Sequence, residues 1–373
     1  MNDYPTATAE VNLSALVHNY LLFKSHLQRL DPKAWLACVV KADAYGHGLR
    51  PCVRALAEAG ATRFAVACLD EARAVREVSP GAQILILGST PPERAPELAR
   101  LGCIQTVHSL EYGQALSAAA AGTLEVHCKL DTAMGRLGLS VDEEDPEAGI
   151  RDVLALASLP RLALRGVYSH FCAADEPASP RTERQLARFA RIKERLAAHG
   201  AEVCYHLCNS AGLVRFGAAG YDGARLGLSL YGVPPSDALT LPGLRQVMQC
   251  GCPIVQIKTV RRGQSVGYGA TFTAPRDLRV GVLPMGYADG LLRACQGGTV
   301  LVGGREAEIV GRVSMDQATI ALPDDLPVSV GDMAVLYDYD GVNLPRLSRH
   351  AGTIPYELLV LLGRRVKRVY VRD

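Results

Sequence analysis

The chain has 373 residues, 49% hydrophobic and 21% charged, which is too long for one ordinary compact core and suits a large barrel with a smaller second domain. Lys plus Arg at 40 against Asp plus Glu at 38 leave a net charge of +2, so no basic footprint marks a nucleic-acid partner and the expected ligands are small molecules. No run approaches the roughly 18 apolar residues of a membrane span, the opening MNDYPTATAEVNLSALVHNY does not read as a secretory leader, and 11 scattered cysteines without a C-x-x-C pair fit a reducing, cytoplasmic setting.

Taken in chain order, residues 1–10, with TATAEV, precede the first barrel element and are expected to add a strand to the later domain. Apolar runs then recur as WLACVV (35–40), RFAVACL (63–69), QILILG (83–88), CIQTVHS (103–109), LEVHCKL (124–130), LRGVYSHF (164–171), VCYHLCNS (203–210) and ARLGLSLYG (224–232). Helical segments such as LDEARAVREV and ERQLARFARIKERLAAHG separate them, the latter with apolar residues at three- and four-residue spacing. Eight strands alternating with helices predict a parallel (β/α)8, TIM-like barrel over 11–238. From 239 to 373 the segments shorten and Gly and Pro punctuate them, as in CPIVQIKTV, LRVGVLPM and DMAVLYD, which predicts a mostly β domain with no clear helix before SRHAGTIPYELLVLLG. The basic tail RRVKRVYVRD alternates charged and apolar residues and is expected to be an edge strand with one solvated face.

The carboxyl ends of barrel strands carry the chemistry of this fold. Here those ends hold Lys41, then Lys129, Asp131 and Arg136, then His170, then His206, Asn209 and Ser210, and finally Arg225. No carboxylate cluster accompanies them, and Cys204 and Cys208 flanking His206 lack a second pair, so no metal is expected. An ammonium at the end of an apolar strand is costly unless it has chemistry to do. Tyr45 with Gly46 and Gly48, and the Asn209–Ser210 turn, supply hydroxyls and close backbone donors suited to a phosphate. A lysine plus a phosphate cradle is the minimal kit for pyridoxal 5'-phosphate.

Nine blocks, VVKADAYGHG, CKLDTAMGRLG, GVYSHF, CNSAGL, RLGLSLYG, VGYGATF, LPMGYADG, GRVSMDQ and GTIPYE, follow one another over residues 39–358. Together they resemble the alanine racemase family, pyridoxal phosphate enzymes built from an α/β barrel and a β domain. The resemblance implies an isomerase that moves alanine between its L and D forms by two-base proton transfer, with Lys41 binding the cofactor as an imine and Tyr268 as the opposing base. His170 and Arg225 are then the cationic neighbours that favour phenolate, and Arg225 faces the pyridine nitrogen. Arg136 would approach the cofactor phenolic oxygen and the substrate carboxylate, beside Lys129, which is either carbamylated or paired with Asp131. Tyr45, Asn209, Ser210, Tyr356 and the backbone of Gly227 and Leu228 would hold the phosphate. Met315 would offer its backbone amide to the substrate, and Tyr287 with Tyr356 would narrow the opening. Tyr268, Tyr287 and Met315 would reach the site from a second subunit, making a homodimer with shared sites. Ala133 in place of a glycine, Ser314 of a cysteine, Pro355 of a polar residue and Lys367 of a proline depart from the family pattern, and Pro355 bears on substrate stringency. A decarboxylase of the same fold, a single-barrel cofactor carrier and a cofactor-free Schiff-base aldolase are the rival readings. The biosynthetic or catabolic use of D-alanine is left open.

Overall fold

The computed structural model describes residues 7–141 and 146–372, so residues 1–6 of the expected N-terminal segment 1–10 lie outside the described residues. The chain opens with β1 (Thr8–Asn12) and then lays down β2 (Trp35–Val39), β3 (Arg63–Val66), β4 (Gln83–Ile86), β5 (Cys103–Val107) and β6 (Leu124–Asp131). A short β7 (Leu139–Ser140) pairs with β6 alone, and β8 (Leu162–Tyr168), β9 (Cys204–His206) and β10 (Gly223–Leu226) follow. The order β5-β4-β3-β2-β10-β9-β8-β6, with β5 also paired to β6, closes eight parallel strands into a barrel. These strands read as unbroken apolar runs because both faces are covered: Phe64, Ala65 and Val66 are all buried, as are Ile84, Leu85 and Ile86. The helices between them bury one stripe each; Arg181–Ala198 turns Phe189, Ile192 and Leu196 inward.

Several strands stop before their apolar runs do. Within ARLGLSLYG the strand ends at Leu226, and Leu228–Tyr231 winds into a short 3-10 turn. That turn stays apolar because it packs under the helix Leu13–Leu30, whose Asn19 donates its side-chain amide to the Leu230 carbonyl at 3.2 Å.

The second body is a nine-stranded sheet. Its strands are β11 (Met248–Pro253), β12 (Gln256–Val260), β15 (Leu278–Leu283), β16 (Thr299–Val302), β17 (Arg305–Ile309), β18 (Ala318–Ala321), β19 (Met333–Tyr337) and β20 (Lys367–Val371), joined by β1. A separate hairpin of β13 (Ser265–Val266) and β14 (Phe272–Thr273) stands apart from it. β1 lies between β11, antiparallel, and β20, parallel. A helix over Asn343–His350 begins five residues before SRHAGTIPYELLVLLG, because the Asp338 carboxylate accepts the N–H groups of Val342 and Asn343 at 2.9 and 3.2 Å and starts it there.

β20 is an edge strand, but one of its cations is not solvated. Arg368 donates to the carbonyls of Gly46, Leu362, Gly363 and Val366, so this arginine closes the orphan acceptors of a loop and reaches across to the barrel.

Candidate active site

At the carboxyl ends of the barrel strands lies a cavity of about 710 Å³. Lys41, Lys129, Arg136, His170 and Arg225 line it together with Tyr45, Asn209, Ser210, Gly227, Leu228 and Tyr356, the last brought in by the helix Pro355–Val360 of the β domain. Eleven of the residues singled out in the sequence thus share one space. Pro355, a departure from the family pattern, occupies the first position of that helix, where a missing N–H removes nothing.

Lys41 follows β2 directly, and the next four residues take a conformation that no sequence signal announced. Ala42, Asp43, Ala44 and Tyr45 have φ of 52°, 53°, 54° and 52°, a full left-handed turn built without glycine. Each such residue costs about 1–2 kcal/mol, so the turn persists only because its surroundings hold it. The turn lets Lys41 and Tyr45, four residues apart, reach the same cavity.

Opposite it, the Ser210 hydroxyl accepts the Gly227 N–H at 2.9 Å, which leaves its own O–H to donate into the cavity. Gly227 is a close-approach position: a Cβ there would stand 2.9 Å from the Tyr45 hydroxyl oxygen. Asn209 lines the cavity, yet its side-chain oxygen caps the helix Ser210–Phe216 by accepting the Gly212 N–H at 3.0 Å. That oxygen has a structural task, while the bond leaves the side-chain amide N–H groups of Asn209 uncommitted. The Gly227 N–H is likewise directed at Ser210.

The cavity is cationic. Burial first, and then Arg136, lower the Lys41 pKa, with Glu71 opposing and Arg225 adding to the shift. Lys129 falls to about 8 for the same leading reasons, burial and then Arg136, and donates to the Leu137 carbonyl. Asp131 opposes that fall through its charge, while its carboxylate accepts four backbone N–H groups, those of Ala133, Met134, Gly135 and Arg136, at 3.1, 2.7, 3.2 and 2.6 Å.

Arg225 is 3% exposed and has no carboxylate among the partners of its guanidinium. It donates to the carbonyls of Ser169 at 2.7 Å and Leu207 at 3.1 Å, to His206 Nδ1, and to His170 Nδ1 at 3.4 Å, and lies over the Tyr168 ring. A guanidinium only donates, so both imidazoles present a bare Nδ1 to it and carry their proton on Nε2. His206 Nε2 then donates to His127 Nδ1 at 3.0 Å. This oriented pair faces the arginine in place of an acid. Burial, then Arg225, Arg136, Lys129 and Lys41, push the His170 pKa well below the usual histidine value, which favours the neutral ring.

Sequence reasoning did not find His127 or Glu71. His127 lies inside β6, two residues before Lys129, and its ring packs over Gly166 of β8, where a Cβ would stand 2.7 Å from it. Tyr268, Tyr287 and Met315 do not line the cavity; on this chain they are 72%, 41% and 53% exposed, on the β domain. Among the described residues no group of His, Cys, Asp and Glu is arranged to hold a metal, and no helix is long and apolar enough to cross a membrane.

Two family models match the chain: the alanine racemase N-terminal domain over residues 11–235 and the alanine racemase C-terminal domain over 247–370. The alanine racemase of Geobacillus stearothermophilus is 38% identical over 382 residues, covering 100% of this chain and 95% of its own, and that of Desulforamulus reducens is 35% identical over 97% and 98%. Among solved structures, the biosynthetic alanine racemase of Pseudomonas aeruginosa superposes with a TM-score of 0.86 at 38% identity, covering 99% of this chain and 100% of that one. The Bacillus anthracis alanine racemase solved with bound L-Ala-P has a TM-score of 0.88 at 31% identity, covering 100% and 97%. With both domains matched in order and relatives aligned end to end, this chain belongs to the alanine racemase family, a family of pyridoxal phosphate-dependent isomerases.

Proposed function

We propose that the chain interconverts L-alanine and D-alanine with pyridoxal 5'-phosphate, as a cytoplasmic homodimer in which the barrel (11–238) of one copy and the β domain (239–373) of the other complete each site. The observation that carries this reading is the meeting of Lys41 with the Tyr45 and Ser210 hydroxyls around Gly227 in one cationic cavity. The absent Cβ of Gly227 leaves space between two hydroxyl donors, which fits a phosphate ester, and Arg225 at the far side suits a ring nitrogen that must accept. When bound, pyridoxal phosphate supplies a carbonyl carbon for an amine to bond and a conjugated ring that takes up the electrons left when the α-carbon loses its proton.

This chain's residues do the rest. Lys41 would hold the cofactor and move a proton at one face of the substrate α-carbon; its lowered pKa suits an amine that must be neutral for part of the cycle. The partner's Tyr268 serves the other face, and its exposure on this chain leaves the phenol available to a second copy. His170, neutral with its proton on Nε2, acts as a hydrogen-bond donor to that phenolate, while Arg225 supplies the positive charge. Arg136 binds the substrate carboxylate with its forked donors. The amine of Lys129, with a pKa of about 8, is partly unprotonated near neutrality and so able to take up carbon dioxide as a carbamate facing Arg136. Met315 contributes its backbone amide, and Tyr287 and Tyr356 restrict the opening to a small side chain. The D-alanine formed serves cell-wall polymer synthesis, or D-alanine feeds catabolism in reverse.

The single-barrel carrier reading fails because a nine-stranded sheet follows the barrel. A proton NMR time course of L-alanine in heavy water, with chiral analysis, separates the racemase from the remaining rivals. Loss of the α-proton signal with appearance of D-alanine is expected. An inert α-proton in protein that carries the cofactor would overturn the proposal.

A further inference from the structure

The left-handed turn after Lys41 must be held by something, and the strongest hold comes from outside it. Glu71, thirty residues downstream, sits in the first turn of the helix Leu69–Val78, whose N-cap residue Cys68 makes no side-chain cap bond. One oxygen of the Glu71 carboxylate accepts the Ala67 N–H at 2.7 Å, just beyond β3. The other reaches across to the Ala42 N–H at 2.6 Å, the peptide that joins Lys41 to the left-handed run. Farther along, the Asp43 carboxylate accepts the Leu49 N–H at 2.7 Å, and Arg368 of the β domain holds the Gly46 carbonyl at 3.2 Å. A Cβ on Gly46 would meet the Leu359 carbonyl oxygen at 2.1 Å, so the end of the turn is also pressed against the β domain.

We propose that Glu71 is a positioning residue for the reaction, tying the start of the left-handed turn to the end of β3 so that Lys41 is aimed into the cavity. The inference rests on Lys41 being the cofactor lysine. The Ala42 N–H lies at the first peptide of the turn, and Glu71 is the side chain that accepts it. The titratable and charged groups that line the cavity with the Lys41 amine include Arg136 after β6, Lys129 on β6, Arg225 on β10, His170 and Asp175 after β8, Tyr45, and Tyr356 and Glu357 of the helix Pro355–Val360. Among the acids, Glu71 is the one that raises the lysine's proton affinity. A helix cap alone would need the Ala67 contact and not the bridge to Ala42.

The test uses the full chain freed of cofactor with hydroxylamine. The rate of Lys41 carbamoylation by cyanate, followed by mass spectrometry across pH, gives the apparent lysine pKa without any turnover, and absorbance titration with pyridoxal phosphate gives Kd. In E71Q the amide still accepts one N–H but opposes the other and carries no charge. The lysine midpoint is expected to move down, and Kd to rise about tenfold or more from the misplaced amine. E71D, with its charge kept and its reach shortened, is expected to leave the midpoint near that of the wild type while still weakening pyridoxal phosphate, and it stands in should E71Q not fold. Unchanged Kd in both variants, with or without a fall in Tm, would overturn the proposal and leave Glu71 a helix cap. Wild-type protein that binds pyridoxal phosphate elsewhere than Lys41 would instead sink the functional reading, a result distinguishable because the cyanate titration needs no cofactor.

Discussion

Ala133 has a φ of 149°, and its N–H is one of the four drawn onto the Asp131 carboxylate. The loop between β6 and β7 must fold around that acid to bring Arg136 to the cavity, and the geometry demands at this position a conformation that a Cβ disfavours. The family's usual glycine would take it without strain, so A133G is expected to stabilise the chain by about 1 kcal/mol, read as a thermal midpoint raised by roughly a degree or two. A lowered midpoint would show that the loop gains more from alanine in the unfolded chain than it loses in strain. The same scale shows where sequence reading ended. Lys41, Arg136 and Arg225 stood out because charged residues interrupt apolar runs, a signal visible in one dimension. Nothing in ADAY marks a left-handed turn, since none of its residues is a glycine, and Glu71 looks like any acid in a first helical turn.

Within the barrel, strands were legible because burial on both faces forces continuous apolar runs, as in QILI and RFAV. Their ends were less so: the run ARLGLSLYG stays apolar past the strand because Leu13–Leu30 covers it, and periodicity cannot separate a buried turn from a buried strand. His127 was hidden for a related reason: it lies within a continuous buried run of β6, and nothing in that run singles out the ring that meets His206. The interior it joins is a set of neutral buried imidazoles. Burial, then Arg225, holds His127 at about 3 and His206 well below the usual value; His170 is lowered likewise, and burial, with Arg368 adding to it, brings His47 to about 4. Each folded pKa lies below the unfolded value near ~6.5, so the unfolded chain binds more protons under acid conditions. Stability is expected to be full above about pH 6.5 and to decline as pH falls toward the folded values, with several protons taken up on unfolding. Thermal midpoints measured from pH 7.5 to 5 should fall by several degrees; a flat profile would mean that these rings are already charged in the fold.

At the scale of the whole molecule, two bodies meet where the chemistry is expected. Tyr356 and Arg368 of the β domain touch the cavity and the Lys41 turn of the same chain, whereas Tyr268, Tyr287 and Met315 of that domain are exposed and outside the cavity lining. The resemblance had already set Tyr268, Tyr287 and Met315 apart from the residues of the barrel, and on this chain they lie outside the cavity that Tyr356 enters. Arg368 had looked like a solvated tail cation, since β-strand alternation says nothing about carbonyls waiting in a neighbouring loop. If the site is shared, K41A and Y268F are each inactive, and dissociating, mixing and reassembling them in equal amounts restores one complete site in every hybrid dimer. Random assembly predicts a recovered alanine racemisation rate of about one quarter of the wild-type value. A mixture no more active than the two variants apart, or a Y268F chain as active as wild type on its own, would contradict the account.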